Sequence, residues 1–224
     1  MAQGIAGRSV LVFGAGGALG AGVAAALAGA GATVIGADKV APPPSRRTDG
    51  VRYEAVDVLD DAAVGALIDA TATPWAVLNT IGGFAPARPL AELDPGELAG
   101  QLELNLVTAA LITKHALRVM QPAGAGRVVH TASRAGQVTS GSGFAYSVSK
   151  AAVLHLVAMA ADEVRGTGVT VNCVVPSIID TPANRAAMPN ANHDAWPKVD
   201  DIAKAFLYLT QPESGLVNGA ALPV

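Results

Sequence analysis

The chain has 224 residues, enough for one sizeable domain and short for two. Hydrophobic residues make up 51% and charged residues 15%, which supplies a large core and excludes a disordered chain. A net charge of −3, with Arg46-Arg47 the only adjacent basic pair, excludes the basic face that a nucleic-acid partner needs.

In chain order, short apolar runs alternate with longer helical patterns. Strands are expected at Ser9–Phe13, Thr33–Ala37, Val51–Val56, Ala76–Thr80, Arg127–Thr131, Val169–Val175 and Ala220–Val224. Helices are expected at Leu19–Ala30, Asp61–Ala72, Pro95–Met120, Ser147–Arg165 and Asp200–Leu209. Continuous apolar strands separated by helices call for a parallel sheet covered on both faces. The expected fold class is therefore α/β, a single doubly wound domain over residues 1–224 with about seven parallel strands. The run Ser9–Ala37 carries no charge, yet eight glycines interrupt it. Strand, turn, helix and strand account for its length without a membrane span.

The first strand runs into Gly14-Ala15-Gly16-Gly17-Ala18-Leu19-Gly20. Glycine there permits a sharp strand-to-helix turn and a close approach by a pyrophosphate, which the free N–H groups of the following helix attract. The strict Gly-x-Gly-x-x-Gly spacing fails, because counting from Gly14 and Gly16 puts Leu19 at the third glycine position. The spacing that fits is Gly14, then Ala18 and Gly20, with Gly17 inside the turn. Asp38 ends the second strand 24 residues after Gly14, where a carboxylate can accept the ribose hydroxyls of an adenosine and repel a 2′-phosphate. That favours NAD over NADP, although Lys39 and Arg46-Arg47 lie nearby. Asp57-Val58 follow the third strand, in reach of an adenine amino group, and Asn79 with Gly82 ends the fourth. Successive strand ends of this kind form the ligand edge of an open α/β sheet.

Tyr146 and Lys150 stand one helical turn apart. An ammonium beside a phenol is expected to lower its ordinary pKa of about 10 and fit it for proton exchange with an alcohol or ketone. Ser133, thirteen residues before Tyr146, can donate to an oxygen where charge develops. Asn105 sits inside the strongly apolar helical stretch Leu102–Met120.

Asn105, Ser133, Tyr146 and Lys150, in this order and spacing, resemble the short-chain dehydrogenase/reductase family over nearly the whole chain. The resemblance implies a Rossmann-type domain that passes a hydride between a nicotinamide and a small, largely apolar carbonyl or alcohol. It implies Tyr146 as acid–base, Lys150 also on the nicotinamide ribose, Ser133 orienting the carbonyl, and Asn105 supporting a proton-relaying water. By the same resemblance Pro176, Ile179 and Thr181 border the nicotinamide carboxamide. The chain departs from the family pattern at Phe13, where threonine is common, at Ala18, at Pro176-Ser177, and at its end without the usual aspartate and glycines. Gly14–Gly20 and Asp180–Arg185 also resemble dihydropteridine reductase, a relative whose branch lacks the serine.

The remaining expectations are of lesser weight. Cys173 lies in an apolar run, as a buried thiol in a reducing, cytoplasmic compartment would. The four histidines share no metal-ligand spacing. Ser140, Ser142, Ser147 and Ser149 read as loop and first-turn residues. Met188 and Trp196 fall in a variable segment, Ala183–Lys198, suited to covering a substrate, where each either faces the substrate or simply packs. Ala151–Ala161 and Leu102–Met120 are too apolar for solvent, so a homodimer or homotetramer is expected. The competing reading is a non-catalytic dinucleotide-binding redox sensor, which would need the glycine loop and Asp38 but not Ser133.

Overall fold

The computed structural model describes residues 4–84, 88–138 and 143–224. Seven strands form one parallel sheet: β1 Ser9–Phe13, β2 Thr33–Asp38, β3 Val51–Ala55, β4 Ala76–Asn79, β5 Gly126–Thr131, β6 Val169–Val175 and β7 Ala221–Pro223. Their spatial order is β3-β2-β1-β4-β5-β6-β7, every neighbouring pair parallel. The order reverses between β1 and β4, which opens a crevice at the carboxyl edge above them.

Side chains alternate along each strand and so feed two cores. Leu11 and Phe13 face the core under α2 Asp61–Ala70, α4 Thr108–Ala123 and α5 Phe144–Glu163. Val10 and Val12 face the opposite core, closed by α1 Ala18–Gly29 and α7 Val199–Thr210. The remaining helices are α3 Pro95–Leu102, which Asp94 caps by accepting from Gly96 N at 2.8 Å, and the short α6 Pro182–Ala187.

The sequence predicts one helix over Pro95–Met120; the structure divides it. A π-helical turn, Glu103–Val107, separates α3 from α4 and carries Asn105. Its Leu104 carbonyl accepts the Thr108 hydroxyl at 2.7 Å. Helix α5 begins at Phe144, not at Ser147, so Tyr146 lies inside its first turn.

At the sheet edge away from the crevice, Trp75 is held between two cations. The guanidinium carbons of Arg8 and Arg127 lie 3.8 Å and 4.8 Å from the Trp75 ring centroid, and Trp75 Nε1 donates to Thr210 O at 2.8 Å. Arg127 is buried and donates to the carbonyls of Gly126, Gly168, Gln211 and Pro212. This knot joins β5 to the loops after α7 and before β6.

Candidate active site

The crevice is floored by the turn from β1 into α1. Gly14 takes a left-handed φ of +83° and donates its N–H to Ala37 O on β2 at 2.8 Å. A Cβ on Gly20 would lie 2.1 Å from Gly14 O, so the turn packs backbone to backbone. Helix α1 starts at Gly17 with no side-chain cap, leaving N–H groups of its first turn, including those of Ala18 and Leu19, directed at the crevice. Leu19 itself is buried in the core and offers a ligand only its backbone.

Asp38 stands beside this loop: its Oδ2 accepts Gly16 N at 2.9 Å and its Oδ1 accepts Lys39 N at 2.8 Å. Arg46 reaches the same place and donates to Gly16 O at 3.2 Å. Lys39 pairs with Asp57 at 2.7 Å, and the Lys39 ammonium holds the Asp57 carboxyl below its ordinary range. Val58 is buried in the core and, like Leu19, presents only backbone. Asn79 is buried, and its Oδ1 accepts Ile81 N at 3.0 Å, shaping the loop that carries Gly82. The uncapped helix end, the Gly14–Gly20 packing and the carboxylate at the loop's rim fit the phosphates and ribose of a dinucleotide.

Ser133, Tyr146, Lys150 and Asn105 come together at the other end of the crevice. Ser133, buried just past β5, accepts Ala135 N at 3.2 Å and lies near enough to the Tyr146 hydroxyl to influence its ionisation. Lys150 is buried and donates to Thr131 O at 3.0 Å; burial lowers its pKa to about 8. The expected lowering of the Tyr146 pKa is not what this geometry produces. Burial pushes the phenol up, and the opposing influence is the nearby Ser133 hydroxyl rather than the lysine. Asn105 is buried, and its Oδ1 accepts Gly83 N at 3.4 Å. A Cβ on Gly82 would lie 2.9 Å from Lys150 Nζ and 3.0 Å from Asn105 Oδ1, so both groups converge on space that only glycine leaves open.

After β6, Pro176 is buried and its carbonyl accepts Arg134 N at 3.1 Å. Ile179 packs against the α1/α7 core, and Thr181 caps α6 by accepting Asn184 N at 3.2 Å. Asp180 clasps this segment, accepting Arg185 Nε at 2.5 Å, Arg185 Nη2 at 2.9 Å and Lys198 Nζ at 2.6 Å. The two cations hold its carboxyl far below the ordinary range. Trp196 is buried at the far end of the segment and packs 4.6 Å from the His193 ring. Met188 is half-buried.

Three features escaped the sequence reading. Phe84 is 70% exposed and meets the Tyr146 ring edge-to-face with centroids 5.4 Å apart. Ser149, read as a first-turn residue, is fully buried and bonded to Asn105. Buried His130, beside Lys150, contacts Thr113 Oγ1 at 2.8 Å and Asn79 Nδ2 at 3.4 Å; burial lowers its pKa to about 4. The i,i+4 rule relates Tyr146 to Lys150 but says nothing of partners on other elements. Ser140 and Ser142 lie outside the described residues.

Comparison with known proteins bears on the family and the fold. A family model described as enoyl-(acyl carrier protein) reductase matches residues 14–224. Cis-4-hydroxycyclohexanecarboxylate dehydrogenase of Sinomonas cyclohexanicum is 34% identical, over 100% of this chain and 97% of its own. D-threitol dehydrogenase of Mycolicibacterium smegmatis is 30% identical, over 97% of this chain and 91% of its own. Among solved structures, a short-chain type dehydrogenase/reductase from Mycobacterium ulcerans superposes with a TM-score of 0.89 at 28% identity, covering 98% of this chain and 89% of that one.

Proposed function

Because the chain belongs to the short-chain dehydrogenase/reductase family, as an NAD(P)-dependent oxidoreductase acting on CH–OH groups, we propose that it interconverts a small cyclic secondary alcohol and its ketone, with Tyr146 as acid–base. The observation that carries this reading is the Tyr146 ring, packed edge-to-face on the exposed Phe84 with Ser133 close enough to its hydroxyl to oppose the effect of burial. When bound, the nicotinamide supplies or accepts the hydride at the carbinol carbon. Gly14–Gly20 and the N-terminus of α1 hold the phosphates, and Asp38 the adenosine ribose. Asp57, Val58, Asn79 and Gly82 line the path between, and Pro176, Ile179 and Thr181 border the carboxamide.

Tyr146 gives its proton to the ketone oxygen in reduction and takes it back in oxidation. Ser133 donates to that oxygen as charge develops on it. Lys150 holds the nicotinamide ribose within the proton-transfer site, and Asn105, across Gly82, faces the lysine. A ring substrate is favoured over a polyol because Phe84 leaves an apolar face uncovered beside the reacting hydroxyl. The cyclohexane-ring alcohol named in the Sinomonas relative supports the same class.

NAD is favoured because Asp38 sits at the loop where a 2′-phosphate would lie, and Lys39 is already paired with Asp57. Arg46 is the cation closest to reversing that preference. Initial rates on substituted cyclohexanols and acyclic polyols, with each cofactor, test both points. Ring alcohols should be preferred, and kcat/KM with NAD should exceed that with NADP by about tenfold or more, the size of one uncompensated charge repulsion. A preference for polyols sinks the substrate class, and a preference for NADP sinks the cofactor assignment. Tight NADH binding with no turnover of any alcohol or ketone would favour the redox sensor instead.

The apolar helices support assembly. Leu117 of α4 and Leu156 and Met159 of α5 line a cleft between the two helices, and Met159 is 63% exposed. A homodimer or homotetramer should therefore run in light scattering at no less than twice 22.3 kDa; a monomer at micromolar concentration overturns this. Cys173, buried and with its thiol pushed up to about 12 by burial, suits the reducing cytoplasm proposed for the protein.

A further inference from the structure

An asparagine side chain has two chemically opposite ends, and the site needs one of them. Asn105 faces the space above Gly82 that Lys150 Nζ also borders. Its carbonyl end suits that place; its amino end would set donor against ammonium and against Gly83 N–H. The Gly83 contact is long at 3.4 Å and orients the amide weakly.

The other end is held better. Asn105 Nδ2 donates to Gln101 Oε1 and to Ser149 Oγ, both at 3.0 Å, so each amino hydrogen has its own acceptor. The Ser149 hydroxyl spends its hydrogen on Tyr146 O at 2.8 Å, which leaves its oxygen acceptor-only toward Asn105. Gln101 stands four residues before Asn105, on the other side of the junction where α3 gives way to the π turn. Turning the amide over would face its oxygen to Gln101 Oε1 and to a hydroxyl whose hydrogen is already committed, and would strand its amino group against two donors.

We propose that Gln101 is a positioning residue for the reaction, which together with Ser149 locks the Asn105 amide with its carbonyl toward Lys150. The proposal rests on the reading of Asn105 and Lys150 as part of the proton-transfer site. The lock favours the charged form of Lys150, because an acceptor rather than a donor faces the ammonium.

The test compares Gln101→Met, which keeps the volume and deletes the acceptor, with Gln101→Glu, which keeps the acceptor. Gln101→Met should lower kcat by about five- to tenfold, the size of one lost hydrogen bond, with cofactor Kd unchanged. Its pH profile should move toward lower pH as the lysine loses support for its charge. Gln101→Glu should retain turnover within roughly threefold and move the profile the other way, its carboxylate favouring the ammonium. Ser149→Ala, read in the same assays, should reproduce the direction of Gln101→Met. Side-chain amide NMR of the whole protein reads the lock without turnover: the Asn105 NH2 pair should be slow to exchange in wild type and fast in Gln101→Met. Unchanged exchange in that variant overturns the lock. Equal impairment of both Gln101 variants, with unshifted pH profiles and lowered Tm, reduces Gln101 to packing and also overturns it. Failure of the underlying reading looks different, since Tyr146→Phe would then keep its activity whatever the amide exchange reports.

Discussion

Tyr146→Phe is expected to lose turnover by about 10³-fold or more, within the range contributed by a positioned proton donor or acceptor, while cofactor Kd stays within about twofold. The substitution removes one oxygen from a half-buried ring and leaves the Phe84 edge contact in place, so the fold has no reason to change. What goes is the hydroxyl on the ring facing Phe84, the one near Ser133. The direction of the Tyr146 shift adds a pH signature. Burial raises the pKa, so the phenol is protonated throughout the neutral range, the form that reduction uses. Oxidation needs the phenolate, and its rate should climb through alkaline pH where reduction only declines. Both limbs should vanish in the variant. A Tyr146→Phe enzyme retaining a tenth of wild-type turnover would remove the tyrosine from the chemistry.

Gly20→Ala should be severely damaging. Its Cβ would sit 2.1 Å from Gly14 O, 2.7 Å from Gly14 C and 2.7 Å from Thr80 Oγ1. None of these can yield easily. Gly14 N is tied to Ala37 O at 2.8 Å, and Thr80 Oγ1 donates to Phe13 O at 2.7 Å. Relief requires α1 to lift from the turn, which costs about 3 kcal/mol or more and lowers Tm by about 10 °C for a domain of this size. The same displacement carries the α1 N-terminus away from the phosphates, so dinucleotide affinity should fall by about 100-fold, roughly the 3 kcal/mol again. Gly29→Ala at the other end of the helix is the control, since nothing lies within 4 Å of its added Cβ. There stability should be unchanged or slightly raised. Calorimetry and NADH titration on the two variants decide it, and a Gly20→Ala protein as stable as Gly29→Ala would refute the packing argument.

The fold was legible because period and punctuation carry it. Most strands of the sheet, though not β3, are largely apolar runs with a helix or loop on either side, and the two-residue alternation in Val10–Phe13 sorts the two cores without further information. The break at Glu103–Val107 was not legible, because a π turn inserts a residue with no glycine or proline to announce it. The start of α5 was misplaced for a local reason: Gly143 enters with φ +71° and delivers the chain to Phe144, three residues before the apolar periodicity begins. In the site, Tyr146, Lys150 and Ser133 could be found by spacing, since they share or adjoin one helix. Ser149 could not, because its partner Asn105 is 44 residues away. The sign of the Tyr146 shift was misjudged because spacing reports which charge is one turn away, whereas burial, the larger influence, exists only once the chain has folded.

The two tryptophans stand at opposite ends of the molecule's business. Trp75 is pinned between Arg8 and Arg127 at the sheet edge remote from the crevice, with its indole N–H committed to Thr210 O. Trp196 packs against His193 in the segment clasped by Asp180. The chain thus carries two intrinsic fluorophores with separate duties. Emission from Trp75 follows the integrity of the whole sheet, and emission from Trp196 follows the segment clasped by Asp180. With Trp75→Phe and Trp196→Phe proteins as references, unfolding and ligand-induced rearrangement become two distinguishable optical signals from one unlabelled sample.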